Sequence, residues 1–222
     1  HLDKAFAFIE YDPEQYLEAK QYCLEHFDLS KDNQTEYKGY EKEVIEYIKK
    51  VCKTENGVNL DFILGTHYHY DHIGSFHALI TDNEINIGKA YFKEFDPEIA
   101  KDYEIDRWQI DKLYNHIIDD LNEKKIPVVN DLPEKPFEFG DFTLQFYNTV
   151  TPKELSGKGE NASSVGVKVT KGERSAFLAS DITESTGLED ILVDKIGDID
   201  LLKAGHHGYF GSSSKSFLSN LS

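Results

Sequence analysis

Seven consecutive residues, THYHYDH at Thr66–His72, constrain this 222-residue chain more than anything else in it. His67, His69, Asp71 and His72 bring three imidazoles and a carboxylate together, and these are ligands that borderline divalent metals prefer. In an extended loop His67 and His69 share a side, because alternate residues face the same way. Asp71 and His72 can then turn towards a second position. One metal cannot comfortably take four ligands from so short a stretch, whereas two neighbouring metals can share them. The apolar run NLDFIL (59–64) and Gly65 precede the cluster, and Gly74 follows it. A strand running into a braced loop fits that pattern better than a histidine-rich surface segment.

The rest of the chain reads as sheets covered by helices. Helical spacing marks Pro13–Phe27, Tyr40–Val51, Ile73–Ile80 and Leu188–Ile196, and a helix begins at Ser214–Leu218. Tyr103–Lys125 predicts one long amphipathic helix, with Trp108, Ile110, Leu113, Ile117 and Leu121 on its apolar face. Strands are expected at Ala90–Phe92, Ile126–Val129, Pro136–Phe139, Phe142–Tyr147, Ser164–Thr170, Ser175–Ala179 and Ile199–Lys203, with hairpin turns at Gly140-Asp141 and at 171–174.

Two further groups follow apolar strands. Asp181 ends SAFLASD, where a lone Asp is more often a helix N-cap, here for a helix starting at Thr183 to Ser185. His206 and His207 stand together between glycines after LLKA. A single histidine there would be structural; two between glycines point to function.

In this order the motifs resemble the metallo-β-lactamase-fold superfamily of hydrolases. The carrying residues are Asp61 with Thr66–Gly74 (THYHYDHIG), Asn161–Asp181, and DLLKAGHHG at 200–208 followed by Ser212–Ser214. The chain is most similar to the phosphorylcholine-esterase branch and to the soluble domain of bacterial competence DNA-uptake proteins. The resemblance covers residues from about Tyr40 to the C-terminus. It implies an α/β, four-layer αββα sandwich over one domain, 1–222, with residues 1–40 poorly assigned.

By the same resemblance His67 and His69 bind a first metal, Asp71 and His72 a second, and Asp181 bridges them. His206 completes the second site, with His207 in reserve. Asp61 orients the loop from beneath without touching metal, and Asn161, water or substrate fills the place of a missing third histidine on the first metal. The implied cofactors are two divalent ions, Zn2+ first, with Mn2+ or Fe as alternatives. The implied chemistry is phosphodiester or phosphorylcholine-ester hydrolysis by a metal-bridging hydroxide whose proton Asp71 accepts. His207 or Tyr209 donates a hydrogen bond to substrate, and the serines at 212–214 help hold a phosphate. The alternatives are hydrolysis of a lactone, thioester or amide, or a non-catalytic metal-binding subunit.

Two departures stand out. Many members supply a third histidine to the first metal between the first motif and the bridging Asp. Only His77 and His116 fall in that interval, both on expected helices. The amino-terminal strands, with a GD and later an IDxG sequence, are not recognisable in residues 1–40, and the typical last strand is absent after Ser222. The sandwich is thus expected to be incomplete at both ends.

The formal charge of -17 opposes polyphosphate backbones at long range and disfavours nucleic acid as a partner. A pair of cations can still hold one phosphate, because they dominate the nearby field. Cys23 and Cys52 make neither a disulfide framework nor a CxxC site. No run of 18 apolar residues occurs, so no transmembrane helix is expected. The related branches point to a small-molecule or cell-envelope phosphodiester in a bacterial extracytoplasmic setting. Nothing in the sequence sets the oligomeric state.

Overall fold

The structure, a computed structural model, describes residues 41–221. The expected helix at Pro13–Phe27, Cys23 and any amino-terminal strands lie outside the described residues. The chain begins with helix α1 (Glu41–Val51) and runs through strands β1 (Lys53–Thr54), β2 (Gly57–Leu60) and β3 (Ile63–Gly65). Helices α2 (Tyr70–Ile73) and α3 (Phe76–Thr81) follow, then β4 (Ile85–Ile87) and β5 (Ala90–Phe92). Helices α4 (Asp102–Asp106) and α5 (Ile110–Glu123) lead to β6 (Val128–Val129), β7 (Phe137–Phe139) and β8 (Phe142–Tyr147). The hairpin β9 (Gly166–Lys171) and β10 (Arg174–Leu178), helix α6 (Leu188–Ile196), strand β11 (Leu201–Lys203) and helix α7 (Lys215–Asn220) complete it.

Strands β1-β2-β4 and β3-β5-β6 hydrogen-bond as two three-stranded groups. They are halves of one bent sheet. Leu60 pairs with Ile87 before the bend and Ile63 with Ala90 after it, the same offset on both sides. Across the bend the Gly88 N–H donates to Leu60 O at 2.8 Å and the Ile63 N–H to Lys89 O at 3.0 Å. The second sheet is ordered β11-β10-β9-β8-β7, antiparallel except for the parallel pair β10–β11.

Period-two alternation sorts the apolar side chains into layers. Ile63, Ala90 and Phe92 face Leu79, Ile80, Leu113, Ile117 and Leu121 on helices α3 and α5. Their neighbours Leu64 and Tyr91 point the other way, onto Phe146, Val165 and Val167 of the second sheet. Phe177 and Tyr147 then face Leu188, Leu192 and Ile196 of α6 and Phe217 of α7. Helices, sheet, sheet and helices therefore stack in the αββα order that the resemblance implies. Phe92 is fully buried, and burying a Phe stabilises by about 1.5–3 kcal/mol. Its ring lies so close to Gly65 that a Cβ there would stand 2.7 Å away. Only glycine lets the chain leave β3 over this ring, and the histidine loop starts at the next residue.

Several expected elements differ. The long helix over Tyr103–Lys125 is two helices, because Gln109 is left-handed at φ 54° and turns the axis before Ile110. Trp108, expected on the apolar face, is 43% exposed in that break. The helix over Ile73–Ile80 divides at Gly74–Ser75, and the strand over 59–64 divides at Asp61–Phe62. Strand β4 is a three-residue element, INI, too short to show a period. Among the described residues no helix is long and apolar enough to cross a membrane.

Candidate metal centre

The site gathers where strands of both sheets end. The histidine loop leaves β3, Asp181 follows β10, and the GHHG turn (Gly205–Gly208) follows β11. Parallel pairing of β10 with β11 brings their C-terminal ends to one edge. Two bonds tie that edge to the histidine loop: the Val165 N–H donates to Thr66 O at 2.9 Å, and Ser180 Oγ–H donates to Thr66 Oγ1 at 2.9 Å.

Asp181 is 1% exposed and sits at the centre. No helix starts after it, so the N-cap alternative does not apply; the next helix begins at Leu188. Its two oxygens face different partners. Oδ2 lies 3.7 Å from Nε2 of His67 and 3.7 Å from Nε2 of His206. Oδ1 lies 3.1 Å from Nε2 of His72 and 3.6 Å from Nε2 of His207. His67 Nε2 and His69 Nδ1 are 3.2 Å apart. His207 Nε2 stands 3.1 Å from Asp71 Oδ2 and 3.2 Å from His72 Nε2.

Two ligand sets emerge, His67–His69–Asp181 and Asp71–His72–Asp181–His207. Ligand atoms about 2.0–2.1 Å from a tetrahedral ion are about 3.3 Å from one another, which these spacings match. Asp181 Oδ1 is buried yet accepts no well-formed hydrogen bond. A buried polar atom left so is costly unless something else satisfies it. The residues therefore fit a pair of divalent cations sharing one carboxylate.

Electrostatics favour the ligand forms. Burial, then the fields of His72, His69 and His206, hold the His67 imidazole well below its usual pKa and keep it neutral. Burial likewise lowers His206. For Asp181 burial pulls upward, but the close His72 imidazole and the fields of His206 and His207 outweigh it, so its pKa is lowered.

The sequence reading put His206 in the second set with His207 in reserve. The structure brings His207 to Asp71 and His72, and turns His206 to the other oxygen of Asp181. The cause is local: both residues are left-handed, at φ 43° and 54°, a turn that brings the two rings to different oxygens of one carboxylate. Gly205 fixes this turn, since a Cβ there would lie 2.3 Å from the Ile182 carbonyl oxygen. The His206 N–H donates to Ser180 O at 2.9 Å, locking the turn to the Asp181 segment.

Other expected residues lie elsewhere. Asp61 is exposed at the break before β3, lining a groove with Phe62, Gly88, Lys89 and Phe139. It cannot orient the loop from beneath, because β3 separates it from Thr66. Asn161 lies in a buried turn with Oδ1 lacking a hydrogen-bond partner. Tyr209 is half-exposed, its ring 5.2 Å from that of His206. Ser212 and Ser213 bond Gly205 and so serve the turn itself. His77 and His116 stack together beside Asp120 on the α3 and α5 surface, apart from both ligand sets.

Two carboxylates went unrecognised in the sequence. Glu104, 3% exposed, accepts from His69 Nε2–H at 3.1 Å, so His69 keeps the Nδ1 lone pair for a metal. Its Oε2 also accepts from the N–H groups of Lys101 (2.7 Å) and Glu160 (3.0 Å). The one signal available was a Glu three residues into a helix, where it caps the first turn. Trp108 lies beside the same imidazole, ring centroids 5.4 Å apart.

Glu160 is fully buried, and its Oε1 accepts from the Tyr68 N–H at 3.2 Å. Burial pushes its pKa up to about 8, against the Tyr68 N–H and Lys93. A raised carboxyl gives stability that is full below the unfolded value of 4.5 and is lost as pH rises through about 8. Burial also lowers Lys93, to about 8, but its titration between there and 10.5 lies above that window. Unfolding temperature should therefore fall between pH 5 and 8 on account of Glu160, by the equivalent of a few kcal/mol. Glu160→Gln keeps the acceptor and should flatten that fall; parallel curves for the two proteins would rule Glu160 out as its source.

Among solved structures the chain resembles the metallo-beta-lactamase fold protein YhfI from Bacillus subtilis. The identity is 19% and the TM-score 0.38, over 64% of this chain and 48% of that one. Zn(2+)-bound PqqB from Methylobacterium extorquens matches at 14% identity and TM-score 0.42, over 72% and 51%. CmlA, a diiron beta-hydroxylase from Streptomyces venezuelae, matches at 15% identity and TM-score 0.37, over 67% and 25%. The chain thus spans about half or less of these proteins' length. No curated protein matches it. The sequence profile of the Metallo-beta-lactamase superfamily matches residues 53–220 of the 222, and the chain belongs to that superfamily.

Proposed function

We propose that this chain is a metal-dependent hydrolase acting on a phosphodiester, either a small molecule or a cell-envelope component, with two divalent cations, Zn2+ first among them. The observation that carries this reading is Asp181: it is buried, and each of its oxygens faces its own set of ligands. Two cations bound there would supply Lewis acidity and make water acidic enough to ionise near neutral pH. Two cations held there would also neutralise charge on the non-bridging oxygens of a phosphodiester.

The chain's own groups do the rest. His67, His69 and Asp181 hold one position, and Asp71, His72, His207 and Asp181 the other. The Asp71 side chain, 60% exposed at the mouth, accepts a hydrogen bond from the attacking water and takes its proton. Tyr209, exposed beside His206, donates from its hydroxyl to the departing group. The phosphodiester preference and an extracytoplasmic setting rest on the resemblance of the three motifs. The charge of -17 argues against nucleic acid as substrate.

The deciding experiment combines metal analysis with hydrolysis of bis-p-nitrophenyl phosphate and p-nitrophenyl phosphorylcholine. Two equivalents of metal with turnover of either ester are expected. Metal with turnover only of a lactone, thioester or amide would replace the phosphodiester reading. Metal with no hydrolysis of any of them would make the chain a binding subunit, and folded protein that takes up no metal would end the proposal.

A further inference from the structure

Two histidines stand apart from the metal centre, and both turn to one carboxylate. His77 lies on α3 and His116 on α5, with Asp120 one helical turn after His116. Residues four apart on a helix share a face. Helix α5 therefore presents an imidazole and a carboxylate side by side, and α3 brings a second imidazole to them. His77 Nδ1 is 2.8 Å from Asp120 Oδ2, and His116 Nε2 is 3.8 Å from the same oxygen. The two rings lie nearly face to face, with centroids 4.9 Å apart and planes 26° from parallel. One ligand atom from each of the three residues lies within 4.8 Å of the other two.

The joining of the two helices is provided for without these groups. Leu79 and Ile80 of α3 share an apolar cluster with Leu113, Ile117 and Leu121 of α5. Lys124 Nζ reaches back to Thr81 O and Asn83 Oδ1, each at 3.2 Å. Asp120 is the group that calls for a partner. It is buried, while the imidazoles beside it are half exposed. It sits in the last turn of α5, where the helix dipole disfavours negative charge. Among the described residues its only ion-pair partners are these two imidazoles.

The donor set selects the ion. Two imidazole nitrogens and one carboxylate oxygen suit Zn2+ and its borderline neighbours, whereas Mg2+ and Ca2+ prefer oxygen alone. The spacings of 2.8 and 3.8 Å bracket the distance of about 3.3 Å between ligands of a tetrahedral ion. Without metal, the short contact is a hydrogen bond from His77 Nδ1–H. A cation between the two groups takes the place of that proton, and the ring carries its proton on Nε2 instead.

We infer that His77, His116 and Asp120 form a separate site for one Zn2+-like divalent ion on the α3–α5 face, with water in the fourth place. The inference does not rest on the two-cation reading, because the site shares no residue with either ligand set. Held by three side chains and open to solvent, the ion is exchangeable: desalted protein loses it and regains it when Zn2+ is supplied. Helix α3 follows α2, which carries Asp71 and His72, and α5 follows α4, which carries Glu104. An ion across α3 and α5 thus clamps together the two segments that lead away from the metal centre.

The test is calorimetric titration with Zn2+ of the wild type and of the double variant His77→Ala, His116→Ala. Whatever the inner centre holds cancels in the comparison, and the wild type should take up one equivalent more. The same difference is expected in an Asp181→Ala background, where excess Zn2+ should also raise the unfolding temperature only when both histidines are present. His116→Ala alone should weaken the site by at least about tenfold, the lower end of what even supporting groups cost. Asp120→Asn, isosteric at the buried position, should weaken it too. Both histidines are exposed, so the metal-free variants should keep the wild-type circular dichroism. Equal stoichiometry in wild type and double variant would overturn the site and leave a hydrogen-bonded His–Asp cluster. Equal affinity for Mg2+ would overturn it as well, by showing attraction to an acidic surface rather than ligation by imidazole.

Discussion

Asp181→Ala is expected to take both cations with it. Its metal content should fall from two equivalents to less than one, and hydrolysis should drop by more than about a thousandfold, since removing one preorganised electrostatic partner already costs 10²–10³. No other described side chain offers an oxygen to both ligand sets: Oδ2 serves His67 and His206, Oδ1 serves His72 and His207. Asp181→Asn is the sharper variant, because it keeps the volume at a 1% exposed position and changes only the charge and one acceptor. Two full equivalents with unimpaired turnover in Asp181→Asn would show that the carboxylate is structural.

Glu104→Gln should weaken the first position by about 10–100-fold and leave the second unchanged. The isosteric change works through a proton. In the wild type the carboxylate takes the His69 Nε2–H on Oε1 and the Lys101 N–H on Oε2, and the Glu160 N–H is shared between them, closer to Oε2. A glutamine must keep its oxygen on the two backbone donors, which leaves its NH₂ facing His69 Nε2. The imidazole must then accept there and carry its proton on Nδ1, the nitrogen that faces His67 Nε2 and the metal position. Weak-site titration separates this from a folding defect, and Glu104→Asp should restore part of the affinity. Equal affinity in wild type and Glu104→Gln would mean that His69 does not ligate through Nδ1.

Both predictions start from groups that differ in how far sequence reveals them. Thr66–His72 was legible because ligand types crowd into seven residues, and a crowd of that kind needs no tertiary context. Strands β8 and β9 were legible because apolar residues alternate along them, whereas the αββα order came from the resemblance of the motifs. Asp181 was visible only as a residue after a strand, and its neighbours decide that it is not a cap. Glu104 was invisible: it is a helix glutamate whose partner lies 35 residues away, and spacing cannot report such a meeting. The split of His206 from His207 depends on two φ angles that side-chain identity does not specify. The break at Gln109 is of the same kind, since the apolar period runs on through Tyr103–Lys125 while the backbone turns.

That break has an optical consequence. It leaves the chain's single tryptophan, Trp108, edge-on to the His69 ring and partly in water. Indole emission responds to the charge and protonation of an adjacent imidazole, and every photon this chain emits from tryptophan comes from that one position. Loading of the first cation, through His69, would therefore announce itself in the intrinsic fluorescence, while the second cation, across the far oxygen of Asp181, would leave the signal nearly still. The protein carries its own label for telling the order in which its two positions fill.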